Sequence, residues 1–100
     1  MSVPQSRGFM RALRQLMPEA MFSVSGERPW HSNSFAGVQL CIVADIAGKR
    51  HQAIAANLRQ LLPEHQFELA NGLVADIAVT SCVTDENASH LVIDVLLLDD

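Results

Sequence analysis

Residues 13–24 read LRQLMPEAMFSV, and residues 58–69 read LRQLLPEHQFEL. Leu, Arg, Gln, Leu, Pro, Glu and Phe recur at matching places, 45 positions apart (13 to 58). Such an echo marks either a repeated functional site or a repeated structural unit, and the residue types decide for the second. The leucines fall at helical spacing, and a proline ring cannot continue a helix and pushes the preceding residue out of helical geometry. The stretch is therefore the end of an amphipathic helix, met twice.

Working upstream, Ser6 is placed to cap a helix whose apolar residues are Phe9, Leu13, Leu16 and Met17, while Arg7, Arg11 and Arg14 form a stripe on the opposite side. The second helix repeats the plan with Ile54, Leu58, Leu61 and Leu62, and Pro63 is its stop. Arg14 and Arg59 lie in the last turns, where a cation favours the negative end of the helix dipole. Downstream, each Pro-Glu pair leads to a phenylalanine, Phe22 or Phe67, read as an apolar lid over its helix end.

Beyond the echo the period changes from helical to alternating. LVADIAVTSCV (73–83) puts Leu73, Ala75, Ile77, Val79 and Val83 on one face, and HLVIDVLLL (90–98) does the same with Leu91, Ile93, Val95 and Leu97. Asp85, Glu86 and Asn87 form the loop between them, with Asn87 suited to a left-handed position. In the first half, PWHSNSF (29–35) reads as a short polar strand and Gly37 as the turn. VQLCIVADI (38–46) then turns Val38, Leu40, Ile42, Ala44 and Ile46 inward. VADIA occurs at both 43–47 and 74–78, on non-equivalent strands, and reflects shared strand composition.

The organisation is αββ followed by αββ, with pseudo-repeats over about 6–47 and 49–100 in one domain spanning residues 1–100. The two units share a core if their hairpins join in a four-stranded antiparallel sheet, order 3-4-2-1, with both helices on one face. The expected class is α+β, a two-layer sandwich. It resembles a circularly permuted ferredoxin-like fold, in which the first strand has moved to the end of the chain. Superfolds of this kind host many functions, so the resemblance fixes none. Strand composition agrees with the order: the most apolar strands, 38–46 and 90–98, fall in the middle, and Pro29 falls at an edge.

The whole chain narrows the function classes. Its 100 residues are 49% hydrophobic and 18% charged, with 4 Pro and 5 Gly, which is a globular rather than a disordered composition. No apolar run reaches the ~18 residues of a membrane span. MSVPQSRGFMRAL lacks the continuous apolar region of a secretory signal, so the expected location is cytoplasmic, with no membrane partner. Cys41 and Cys82 have neither CxxC nor zinc-ligand spacing and read as free thiols. The net charge of −4 argues against a nucleic-acid partner. Six of the seven basic residues (Arg7, Arg11, Arg14, Lys49, Arg50, Arg59) fall in the two helical segments, and all eleven acids fall outside them.

The sheet face turned away from the helices carries the functional question. By alternation it holds Gln39, Cys41, Val43 and Asp45, then Val74, Asp76, Ala78, Thr80 and Cys82, then His90, Val92, Asp94, Leu96 and Leu98. A fully solvated face is rich in Thr, Lys, Glu and Arg, whereas this one is largely apolar and lacks lysine and arginine. A homodimer is therefore the expected partner arrangement. The face also lacks the aromatic side chains with which such sheets stack RNA bases.

Elsewhere, ERPWHSNS (27–34) is the stretch richest in functional groups. Arg28 is suited to a carboxylate or phosphate, Trp30 to a flat ligand and His31 to acid–base work, although alternation points Trp30 and His31 apart. The bland alternative makes this an edge strand with Trp30 capping one end of the core. Cys82 falls opposite His90 if the hairpin loop is 85–87, a thiol–imidazole pair whose apolar neighbours favour an inert thiol. His31, His51, His65 and His90 are scattered over separate elements, His51 and His65 at the surface near the second helix, so no metal or other cofactor is expected. Two readings remain. The leading one is a non-enzymatic domain acting through homodimerisation or protein interaction by its open sheet face. The rival is a small-molecule-binding protein or small enzyme using Arg28, Trp30, His31, Asp76 and Asp94.

Overall fold

Where the apolar pattern changes from helical to alternating, the chain passes from helix to strand, and it does so twice. The computed structural model describes residues 3–70 and 72–99. In chain order these form α1 (Val3–Leu16), β1 (Met21–His31), β2 (Ala36–Ala47), α2 (His51–Leu61), β3 (Leu73–Thr84) and β4 (Ala88–Leu98). The strands make one antiparallel sheet in the order β1-β2-β4-β3, which is the expected 3-4-2-1 read from the other edge. Both helices pack on the same face, giving the expected α+β sandwich.

The core lies between the helices and the two central strands. Phe9, Met10, Leu13 and Met17 of the α1 segment and Ile54, Ala55, Leu58 and Leu62 of the α2 segment are buried against Val38, Leu40, Ile42, Ala44 and Ile46 of β2 and Leu91, Ile93, Val95 and Leu97 of β4. β2 and β4 pair without interruption from Gly37↔Leu98 to Ala47↔Ala88. Gly37 is part of this pairing rather than the turn: a Cβ there would collide with the Leu97 carbonyl, so only glycine fits. The turn is made by residues 32–35, where the Ser32 N–H donates to the Phe35 carbonyl at 2.8 Å.

Several local expectations need correction. α1 begins at Val3, ahead of Ser6, so Ser6 lies within the helix rather than capping it. α2 begins at His51, leaving Lys49 and Arg50 in the turn before it, where Gly48 takes a φ of 99° to swing the chain out of β2. Leu61 is 37% exposed, while Leu62 is fully buried in its place. The echo between the two halves also breaks after Pro-Glu. Residues 17–20 suffice to join α1 to β1, whereas residues 62–72 join α2 to β3. Phe22 is therefore a buried residue of β1 itself, and Phe67 lies in the longer connection, its ring 5.0 Å from that of Phe9 on the other helix. Phe22 stays beside the end of α1, where its carbonyl accepts from Arg14 Nη2 at 3.3 Å, whereas Phe67 reaches across to the other helix.

Bulges decide which side chains face where. β1 carries one at Ser25, and β3 carries two, at Ala75 and Thr80, each leaving one residue without a cross-strand partner. Each extra residue shifts the alternation of everything beyond it. Val74, Ile77, Val79 and Cys82 consequently pack toward the core, while Leu73 and Val83, the latter 62% exposed, face away. Gly37→Val is expected to lower stability by about 1–3 kcal/mol through forced displacement of the Leu97–Leu98 backbone. Urea denaturation of the variant against the wild type measures this.

Candidate functional site: the open sheet face

The strand registers resolve the face away from the helices into five rows, each crossing β1, β2, β4 and β3 in turn. From one end these are Met21–Asp45–His90–Val83, Ser23–Val43–Val92–Ser81, Gly26–Cys41–Asp94–Ala78, Arg28–Gln39–Leu96–Asp76 and Trp30–Gly37–Leu98–Leu73. The face thus has a mixed first row, an apolar centre line at Val43, Val92 and Leu96, and an apolar last row beside Trp30. The bulge hydroxyls tie the edges down: Ser25 Oγ donates to the Cys41 carbonyl at 3.2 Å and Thr80 Oγ1 to the Val92 carbonyl at 3.4 Å.

Four of the five candidate residues, Arg28, Trp30, Asp76 and Asp94, share this face. His31 does not: it pairs with Ala36 at the far end of β1 on the helix side, exposed and away from the others. Trp30 faces the open side beside Gly37 rather than capping the core, so the face does contain one aromatic and one arginine. Arg28 and Asp76 lie in one row but on opposite edge strands, three strand spacings or ~14 Å apart, too far to pair within the chain. Arg28 and Asp94 line a depression of about 220 Å3 with Gly26, Gln39 and Cys41. That is below the ~300–1,000 Å3 typical of small-molecule pockets. On the same face His90 Nδ1 and Asp45 Oδ1 are hydrogen-bonded at 2.6 Å, with both side chains about half exposed (49% and 52%).

The thiol–imidazole pair is not formed. The bulge at Thr80 pairs Cys82 with Leu91 on the core side, whereas His90 pairs with Val83 on the open side. Among the described residues, no three or more His, Cys, Asp and Glu side chains gather in a way that could hold a metal ion. Among the described residues, no helix is long and apolar enough to cross a membrane.

One buried polar cluster was not anticipated. His51, expected at the surface, is only 4% exposed, and its ring joins helix α2 to the β3–β4 hairpin. Nε2–H donates to the Glu86 carbonyl at 3.3 Å, so in the neutral ring Nδ1 accepts from the hydroxyl of fully buried Ser89 at 2.8 Å. Thr84 Oγ1 lies 3.1 Å from Ser89 Oγ. A serine–histidine contact of this kind resembles a nucleophile and its base, but a hydroxyl sealed from solvent and already committed to the ring cannot meet a substrate. The cluster is a latch. The sequence did carry a signal for it: His51, Ile54, Ala55, Leu58 and Leu62 share one helical face, and Ser89 alternates with Leu91 and Ile93.

The hairpin held by this latch closes through Asp85 instead of a left-handed Asn87, since no non-glycine residue among those described has positive φ. The N–H groups of Asn87 and Ala88 donate to Asp85 Oδ1 at 2.7 and 2.8 Å. These two bonds, Asn87 foremost, hold the Asp85 carboxyl below its ordinary value of 3.8, with small help from His90 and His51.

Two predictions concern this end of the molecule. His51→Ala removes both ring hydrogen bonds, leaves the buried Ser89 hydroxyl with Thr84 alone and is expected to cost about 1–3 kcal/mol in chemical denaturation. A carboxyl whose folded pKa is depressed stabilises above its unfolded value and loses that contribution as pH falls through the folded one. The melting temperature of wild type is therefore expected to exceed that of Asp85→Ala above pH 3.8, with the gap narrowing as the medium is acidified below it. Thermal melts across pH 2–6 measure the gap.

Comparison of the chain with protein-family models, with curated proteins and with solved structures gives no match in any of the three.

Proposed function

We propose that this chain is a non-enzymatic association domain that works as a homodimer closed through its open sheet face. The observation that carries the reading is the composition of that face. Across five rows it presents one arginine and no lysine, while Val43, Val92, Leu96, Leu98, Leu73 and Trp30 make up an apolar band that the row of Cys41 and Asp94 interrupts. Apolar side chains gathered on one sheet face and left half-buried or exposed favour a surface that associates. Four strands of 11 or 12 residues span roughly 19 by 36 Å, an area near the ~800 Å2 per partner of a standard interface.

The polar groups of the face support association over catalysis. Asp45 and His90 are already paired, and the depression at Arg28 and Asp94 is small and shallow. The grooves elsewhere are larger but open. One of about 680 Å3 runs between α1 and β1 and is lined by Arg7, Arg11 and Arg14 with Met10 and Val24, and no candidate acid–base residue of the sheet face reaches it.

Size-exclusion chromatography with light scattering tests the reading. The expected particle has twice the 10.9 kDa chain mass at micromolar concentration, and Leu96→Lys, which puts a charge on the apolar band without touching the core, is expected to be a folded monomer. A wild-type particle of single-chain mass throughout the micromolar range overturns it.

A further inference from the structure

The row structure of the open face says how two copies would meet, an inference that rests on the homodimer reading. Two sheets packed face to face lie ~10 Å apart with their strands either within about 30° of alignment or crossed near 90°, and the aligned class is the one that lays four strands over four along their length. In that class a twofold axis lying between the sheets runs either along the strands or across them.

An axis across the strands keeps each strand over its own copy and inverts the rows. The middle row then opposes itself, with Asp94 against the partner's Asp94, and Arg28 meets the partner's Ser23. Like charges directly opposed in an interface are costly, and the arginine is left without a carboxylate.

An axis along the strands keeps each row and exchanges the edges, so that β1 lies over the partner's β3 and β2 over the partner's β4. The two charged edges and the apolar rows then meet complements, while Gln39 lies over the partner's Leu96. Arg28 faces the partner's Asp76, Asp45 faces the partner's His90, Val43 faces the partner's Val92, and Trp30 faces the partner's Leu73. Arg28 and Asp76, which cannot reach each other within one chain, become two symmetry-related ion pairs at the rim. Asp94 faces the partner's Cys41 beside the depression that Arg28 also lines, where there is room for water at the carboxylate.

We propose that the chain dimerises about a twofold axis parallel to its strands, with Arg28 of each copy paired to the partner's Asp76. The two residues fix the register of the interface, and the apolar band supplies its area. A twofold interface is self-complementary by necessity, so each pair occurs twice.

The test uses Arg28→Asp and Asp76→Arg, each made separately in the full chain, with Arg28→Glu and Asp76→Lys as a second pair. Both positions are exposed, so folding is checked by circular dichroism and is expected to be unchanged. Each variant opposes like charges at two places in its own dimer, and sedimentation equilibrium at low salt is expected to show its dissociation constant raised ~10-fold or more. A one-to-one mixture of the two variants places opposite charges at both positions and is expected to restore dimers to within about threefold of the wild-type constant. Wild-type dimers whose single variants dimerise as before, or whose mixture fails to recover, overturn this register and leave the homodimer reading standing. A monomeric wild type overturns both.

Discussion

The pairing of β2 with β4 is the constraint on which the rest of the molecule depends. These strands come from different halves of the chain, and their union is what turns two separate αβ units into one core. Val38, Leu40, Ile42, Ala44 and Ile46 interleave with Leu91, Ile93, Val95 and Leu97 on the helix side, all of them buried. Each such aliphatic side chain contributes roughly 1.5–3 kcal/mol on full burial. A hairpin with one helix cannot by itself cover such a surface, so neither half has a complete interior without the other. The unbroken register from Gly37 to Ala47 follows: a slip of one residue would turn the whole buried set outward.

The same pairing sets what the second face can be. The central strands carry apolar residues on their outer side too: Val43, Val92, Leu96 and Leu98 are carried outward, among Gln39, Asp45, His90 and Asp94, by the alternation that buries their neighbours. The edges modify that face. β1 brings Arg28 and Trp30 to one border and β3 brings Asp76 and Leu73 to the other, so charge and apolar bulk are distributed across the sheet rather than clustered in a pocket. Arg28 and Asp76, the opposite charges of the two borders, are thereby held a full sheet width apart. The polar cluster of His51, Ser89 and Thr84 lies at the opposite level of the structure, joining α2 to the β3–β4 hairpin.

The architecture was legible in the sequence because it depends on long-period signals. Helix ends at Leu16 and Leu61 follow from Pro18 and Pro63, and the strict alternation of β2 and β4 reveals two strands buried against helices. The strand order followed from joining the two hairpins in a ferredoxin-like sheet, and the apolarity of those strands and the proline in β1 agreed with it. What was not legible is the parity of the edge strands. The bulge at Ser25 has a glycine beside it, but Ala75 and Thr80 carry no such mark, and each reverses the facing of all that follows. Simple alternation therefore misplaced Val74 and Cys82 outward and Leu73 and Val83 inward. β1 was read too short because Phe22 and Val24 were absorbed into the echo of LRQLMPEAMFSV, which holds for the helix end but not for the longer connection at 62–72. Of the candidate site, four residues converge on one face as side-chain alternation allows. His31 falls outside because one step along a strand is enough to cross the sheet.

The three bulges have a consequence for the borders of the sheet. A strand at a sheet's rim presents unpaired amide and carbonyl groups that can recruit a rim from another molecule and seed open-ended growth. Ser25 on one rim and Ala75 and Thr80 on the other interrupt the even spacing such growth requires, and Pro29 withholds one donor from β1 altogether. Either rim is thereby a poorer template for in-register pairing with a strand of another molecule.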